Sequence, residues 1–518
     1  MNTTYGLRRA LQLNPHGRAT TFRSRHRSWA EVGGRVGRLA AGLRALGVEP
    51  GGRVAILALN SDRYLEAYLA IAWAGAVAVP LNIRWSAQEV EDALTDCTPG
   101  VLLADAAFAQ LAGQLGQSLP GMRPVYADDA EAPAGMEHVE ALIERSPAMP
   151  DAMRAGGDLA GIFYTGGTTG RSKGVMLSHA NVMTNALNSL SEGIWTQSMR
   201  YLHAAPMFHL ANGMGMYAAL LQGGSNVIVQ GFAPDGVMAA IAAERVTDTL
   251  LVPTMIQMLV DHPSRAQYDL SSMRRVVYGA SPMSGAVLGR AIEAMPGTAF
   301  VQAYGMTELS PCATLLHWHE HSGEGRARGR DRGAGRAVIG CEVQVVDLDR
   351  NPVPPGTVGE IAVRGDTVML GYWNRPEETA RAVVDGWMHT GDGGVLDADG
   401  FLTAVDRIKD MIITGGENVY SVEVENAIAQ HPDVAQCAVI GIPSERWGEQ
   451  VHAVVVPRPD AEPTPEAVIA FCRTLLGGFK CPRSVEIRDT PLPLSGAGKV
   501  LKRDLRAPFW STHERRVS

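Results

Sequence analysis

The sequence has no apolar run long enough to cross a bilayer. Its longest, at 68–79, covers about 12 residues and stops at Pro80, whereas a spanning helix needs roughly 20. The N-terminus carries Arg8, Arg9 and His16 without a sustained apolar core, so no secretory leader is expected there. The six cysteines, Cys97, Cys312, Cys341, Cys437, Cys472 and Cys481, are scattered and form no CxxC pair. They read as reduced, mostly buried thiols rather than a disulfide framework. A dominant charge is also missing: a net −8 over 518 residues gives no general pull toward nucleic acid or an anionic membrane. No internal repeat is visible. The expectation is a cytoplasmic protein with no nucleic-acid partner and no integral membrane contact.

What the chain does have is ordinary globular composition, 46% apolar and 19% charged, at a length that implies two to four domains and room for large cores. From 29 to 103 helical and strand patterns alternate. Residues 39–46 suit a helix closed by Gly47, 53–59 a strand, 62–74 a helix and 76–81 another strand. The rhythm recurs at 158–164, 226–230, 249–252, 275–278 and 299–302, which predicts a layered, mostly parallel α/β sheet architecture. Segments 342–346, 359–363 and 400–405 read as shorter strands separated by turns. Beyond the polar stretch 406–410, the patterns at 422–430, 451–456, 465–475 and 485–487 suit a compact α+β unit. The basic Gly/Arg tract 322–336 mixes five arginines with acids and reads as a solvated loop. HWHEH at 317–321 lacks zinc spacing and also reads as a loop.

The most informative stretch is YTGGTTGRSKG at 164–174. Glycines let the backbone approach closely, and uncovered N–H groups and hydroxyls then converge with Arg171 and Lys173 on an oxygen-rich anion. A polyphosphate is the expected guest. Gly170 is followed by RSKG, so the spacing is not that of the usual nucleoside-triphosphatase loop. The alternative reading of such a cluster, taken alone, is a flexible surface turn, which is the weaker of the two. The segment is expected to follow a strand, with a helix at 179–190 after it.

Four further motifs follow in order: YGMTE at 304–308, HTGD at 389–392, DRIKD at 406–410 and SGAGK at 495–499. Together with the glycine segment they resemble the adenylate-forming superfamily of acyl-CoA synthetases, adenylation domains and luciferases, over roughly residues 5–506. The resemblance implies a large N-terminal domain, 1–408, of layered mostly parallel sheets plus a β-rich subdomain. A small mobile C-terminal lid, 409–518, would hinge near Lys409. ATP, Mg²⁺ and coenzyme A are the implied cofactor and co-substrates, a small carboxylic acid the partner, and a homodimer the assembly.

The resemblance also implies roles. Thr165, Gly166, Gly167, Thr168, Thr169, Gly170 and Lys173 would hold the β- and γ-phosphates; many relatives have serine where this chain has Gly166. Glu308, with Thr165, would ligate Mg²⁺, since a hard cation prefers carboxylate and phosphate oxygens. Thr307 would contact the α-phosphate, while Tyr304, Gly279, Ala280 and Ser281 would close around adenine. Asp392 would accept from the ribose hydroxyls, assisted by Arg407. Lys499 would neutralise charge growing between carboxylate and α-phosphate; many relatives have threonine where Ala497 stands. Lys409 would be the pivot that withdraws Lys499 and brings Gly415, Gly416, Glu417 and Asn418 up to form a coenzyme A tunnel.

The acyl pocket is expected near APMFHLANGMGM at 205–216, with His209 closing its carboxylate end. Met214 and Met216 are either pocket lining or core filler. Ala303 is small, which suits a medium-length aliphatic or aryl acid better than acetate. The implied reaction is ATP-dependent acyl-CoA synthesis. Alternatives within the superfamily are loading of a carrier protein in trans, since no carrier module follows Lys499, and a luciferase-like oxygenation.

Overall fold

Valine, isoleucine and leucine runs without polar alternation make the strands Arg53–Leu57, Val77–Pro80 and Val101–Ala104, and nearly every residue in them is buried. Strands covered on both faces are the mark of a parallel sheet packed between helices. The computed structural model describes residues 1–165, 172–281, 283–407, 410–415, 417–494 and 500–510, without the side chain of Arg332. Within them the chain forms four sheets.

One sheet orders its strands Gly371–Tyr372, Lys173–Ser178, Leu159–Thr165, Val77–Pro80, Arg53–Leu57, Val101–Ala104, Arg123–Tyr126 and Glu137–His138. It is parallel from Leu159–Thr165 onward. A second sheet carries a parallel core of Ala299–Tyr304, Arg275–Gly279, Asp248–Leu251, Arg200–His203, Ser225–Ile228 and Arg18–Phe22. The third is antiparallel and contains Cys341–Val346, Gly359–Gly365, Trp387–Leu396 and Leu402–Arg407. The fourth, with Ile412–Thr414, Glu417–Val419, Val434–Ser444, Gly448–Pro457 and Ser484–Ile487, packs on helices Ser421–Ile428 and Pro465–Leu475 around its own core of Ile412, Val424, Val439, Val451 and Val468. This is the mixed α/β architecture with a smaller β-rich C-terminal region that the sequence implies.

Helix entries follow local chemistry. Ser28 with Glu31, Ser86 with Glu89 and Ser178 with Asn181 each form a reciprocal cap that satisfies two orphan N–H groups. The Ser28 cap starts its helix at Trp29 and runs it to Ala45, longer than the stretch expected from 39 to 46.

The glycine segment follows a strand and precedes the helix His179–Ser191, as expected; in addition Leu159–Thr165 and Lys173–Ser178 pair as an antiparallel hairpin around it. Other expectations are corrected. The 322–336 tract is not plain loop. It holds a short helix at Gly323–Ala327, and the guanidinium groups of Arg330 and Arg336 lie 3.9 and 4.3 Å from the Phe401 ring centroid. Trp318–His321 is a 3₁₀ turn whose His321 is buried and hydrogen-bonded to the Tyr278 hydroxyl at 3.3 Å. Met214 and Met216 both sit in the main core. Among the described residues no helix is long and apolar enough to cross a membrane.

Candidate active site

Strand ends deliver the candidate residues. Thr165 closes one strand of the hairpin and is the register partner of Lys173 on the other. Gly166, Gly167, Thr168, Thr169 and Gly170 lie outside the described residues, as do Lys409, Gly416 and Lys499.

Beside the hairpin, Tyr372 pairs with Val175 and makes two contacts that no local motif announces. Its hydroxyl donates to Glu308 Oε1 at 2.9 Å, and the Lys173 ammonium lies 5.0 Å from its ring centroid. Burial, then the adjacent Glu308 carboxylate, push the Tyr372 phenol up, which keeps it a proton donor. Glu308 belongs to a 3₁₀ turn, Thr307–Leu309, and is only 6% exposed. That excludes a solvated surface carboxylate. Lys173 is also ion-paired with Glu378, from the helix Pro376–Ala382.

A second cluster joins Tyr304, Asp392 and Arg407. Tyr304 ends its parallel strand, and its hydroxyl donates to Asp392 Oδ2 at 2.9 Å. Burial and the neighbouring Asp392 carboxylate raise the Tyr304 phenol well above its ordinary value. Asp392 and Arg407 are register partners on adjacent antiparallel strands, with Arg407 Nε 3.5 Å from Asp392 Oδ1. The Asp392 amide is fixed by Thr390 Oγ1 at 3.1 Å. Asp392 is therefore half-buried and oriented.

Gly279 ends the strand beside Tyr304's. A Cβ there would stand 2.2 Å from the Ala303 carbonyl oxygen, so only glycine permits this approach of the two strands. Ala280 follows with φ of +67°, a left-handed turn that carries the chain to Ser281. His209 caps the start of the helix Leu210–Gln222 and packs its ring 4.2 Å from that of Phe208. Gly415 and Glu417 lie on the fourth sheet, where Gly415 takes a φ of +62° against the Trp447 ring and Glu417 is exposed.

A cavity of about 310 Å³ lies beside Lys173 and Tyr372. Its lining includes Lys173, Met306, Tyr372, Glu378, Thr390 and Gly391, so three segments far apart in sequence meet around one space. Arg350, Arg381 and His389 add positive or protonatable groups to its wall, and Glu360 and Glu378 the opposing acids. A polyphosphate fits the ammonium and guanidinium groups of this wall; the Glu308 carboxylate is not part of the lining but is hydrogen-bonded to Tyr372, which is. Sequence reasoning missed Tyr372 and Glu378, because their relevance comes from strand pairing and not from any local pattern.

Fold and site together define an enzyme of the adenylate-forming class. The family model for AMP-binding enzymes matches residues 7–373, and that for the AMP-binding enzyme C-terminal domain matches residues 423–499. The chain belongs to this family. It is 41% identical over 509 residues to a feruloyl-CoA synthase of an Amycolatopsis species, covering 97% of this chain and 98% of that protein. It is 34% identical over 510 residues to a fatty acid–[acyl-carrier-protein] ligase, ScoC, of Streptomyces coeruleorubidus, with coverage of 97% and 94%. Among solved structures, ATP-bound MatB from Rhodopseudomonas palustris superposes with a TM-score of 0.88 at 31% identity, over 99% of this chain and 100% of that one.

Proposed function

We propose that this enzyme adenylates an aryl carboxylic acid with ATP and then transfers the acyl group to coenzyme A. The observation that carries the reading is the cavity that Lys173 of the hairpin, Met306 of the 304–308 segment and His389, Thr390 and Gly391 of the 389–392 segment line together. In the first step a carboxylate oxygen attacks the α-phosphorus, the bond to the bridging oxygen breaks, and pyrophosphate leaves. In the second, the coenzyme A thiol attacks the acyl carbon, loses its proton, and AMP departs.

Both steps require positioning and charge neutralisation more than covalent help from the protein. Thr165, Lys173 and the glycine segment grip the outer phosphates. Thr307 donates to the α-phosphate, and Glu308 holds Mg²⁺, which neutralises phosphate charge when bound. Gly279, Ala280, Ser281 and Tyr304 shape the adenine side, Asp392 accepts from the ribose with Arg407 beside it, and His209 borders the acyl end. Residues 1–408 form the body, and 409–518 the lid that carries Lys499 in and, turning at Lys409, out again.

The aryl preference rests on the 41% identity to the feruloyl-CoA synthase and on small Ala303 beside Gly279. Ferulate, octanoate and acetate are to be assayed for pyrophosphate and AMP release with and without coenzyme A. Ferulate-dependent pyrophosphate release, with AMP release requiring coenzyme A, is the expected result. Activity limited to acetate would defeat the acid assignment. AMP release that needs a phosphopantetheinyl carrier protein instead would favour the second reading, which the 34% identity to a carrier-protein ligase supports.

A further inference from the structure

The carboxylate of Glu378 lines the cavity but has no part in the chemistry above. It forms an ion pair with the Lys173 ammonium, and the two side chains are only 21% and 25% exposed. The pair is held from both sides. Tyr372 offers its ring face to Lys173 at 5.0 Å, and Arg375 Nη1 stands 3.4 Å from Glu378 Oε1. Hydrogen bonding to Lys173, and then its positive charge, draw the Glu378 carboxyl below its ordinary value. It is ionised at neutral pH.

Any polyphosphate gripped by Lys173 must therefore take the ammonium from a carboxylate that stays in the same cavity. The exchange weakens binding twice, through the lost ion pair and through like-charge repulsion. It also runs in reverse: as a phosphate leaves, Glu378 recovers its partner. We propose that Glu378 sets the affinity of the phosphate end of the site, competing with ATP for Lys173 and easing the departure of pyrophosphate. The inference rests on the ATP-dependent reading above and deepens it at a residue that the motifs do not include.

The test is equilibrium binding of MgATP, and separately of inorganic pyrophosphate, to the full chain and to Glu378→Gln, which keeps the shape and removes the charge. The variant is expected to bind both about fivefold more tightly at low ionic strength, with the gain shrinking as salt is added. In turnover its KM for ATP falls while kcat does not rise, and product inhibition by pyrophosphate tightens. A merely structural role would weaken binding or leave it unchanged.

Glu377→Gln, an exposed neighbour on the same helix, should match the parent in every measurement. Glu378→Ala must shift affinity in the same direction as Glu378→Gln. Unchanged or weaker binding in both Glu378 variants overturns the inference. Failure of the parent chain itself to bind MgATP would instead overturn the ATP-dependent reading.

Discussion

At Glu308 the residue scale matters most, because a carboxylate after a turn would ordinarily sit in water. Here it is 6% exposed and receives the Tyr372 hydroxyl at 2.9 Å. A partner that orients a metal-binding carboxylate is often worth tenfold or more in metal affinity. Tyr372→Phe is thus expected to raise the Mg²⁺ concentration for half-maximal adenylation about tenfold. Its ring still supports Lys173, so ATP binding measured without Mg²⁺ should not change. Equal effects with and without Mg²⁺ would argue against this role. Lys499→Ala is expected to slow adenylation by about 10²–10³-fold, read as pyrophosphate release. It should leave thioester formation from pre-formed acyl-adenylate nearly intact, and an undiminished adenylation rate would remove this lysine from the first step.

The element that carries the proposed pivot is tied down at both ends. Asp406, on the strand Leu402–Arg407, accepts from the Ser421 amide at 2.6 Å. Lys502 bridges to Glu425 at 2.7 Å, and Arg506 Nη2 meets Asp410 Oδ1 at 2.6 Å. Of these, only the Asp406–Ser421 contact joins residues 1–408 to 409–518, so a swing about Lys409 must break it. Lys409→Pro fixes φ at the pivot and is expected to preserve pyrophosphate release while abolishing acyl-CoA formation; parallel loss of the two would count against the pivot. Element by element, the sequence was readable wherever apolar runs were long, as in Arg53–Leu57 and Pro465–Leu475. The strand Lys173–Ser178 was missed, because its glycine and lysine resemble the loop before it. Trp387–Leu396, with three glycines and a histidine, gains its strand character from neighbours on both sides. The site followed the same rule. Motif residues were visible in the sequence, whereas Tyr372 and Glu378 reach the cavity only through pairing and packing with the hairpin.

At the scale of the whole molecule, three buried histidines favour unfolding as the pH falls. His179, His203 and His321 are each lowered to about 4, chiefly by burial. His203, for example, lies between Asn212 and Asn226 at 2.8 and 3.0 Å. Their unfolded counterparts titrate near 6.5, so between about 6.5 and 4 the unfolded chain binds more protons than the folded one. Stability therefore holds above the upper value and declines as pH falls through that window, by up to about 4 kcal/mol per pH unit if all three contribute fully. Urea midpoints at pH 7.5, 6 and 5 should fall in that order. A flat profile would show that the histidines are hydrated in the native state. Glu140, drawn down to about 2 against desolvation by Arg35 and Arg63, adds a further loss only below about 4.5.

The two-residue strand Gly371–Tyr372 completes the outer edge of the hairpin that carries the glycine segment. During translation that edge must wait, with its N–H and C=O groups unpaired, until the ribosome has delivered most of the chain. A nascent chain stalled before Gly371 would expose a strand ready to pair with the wrong neighbour.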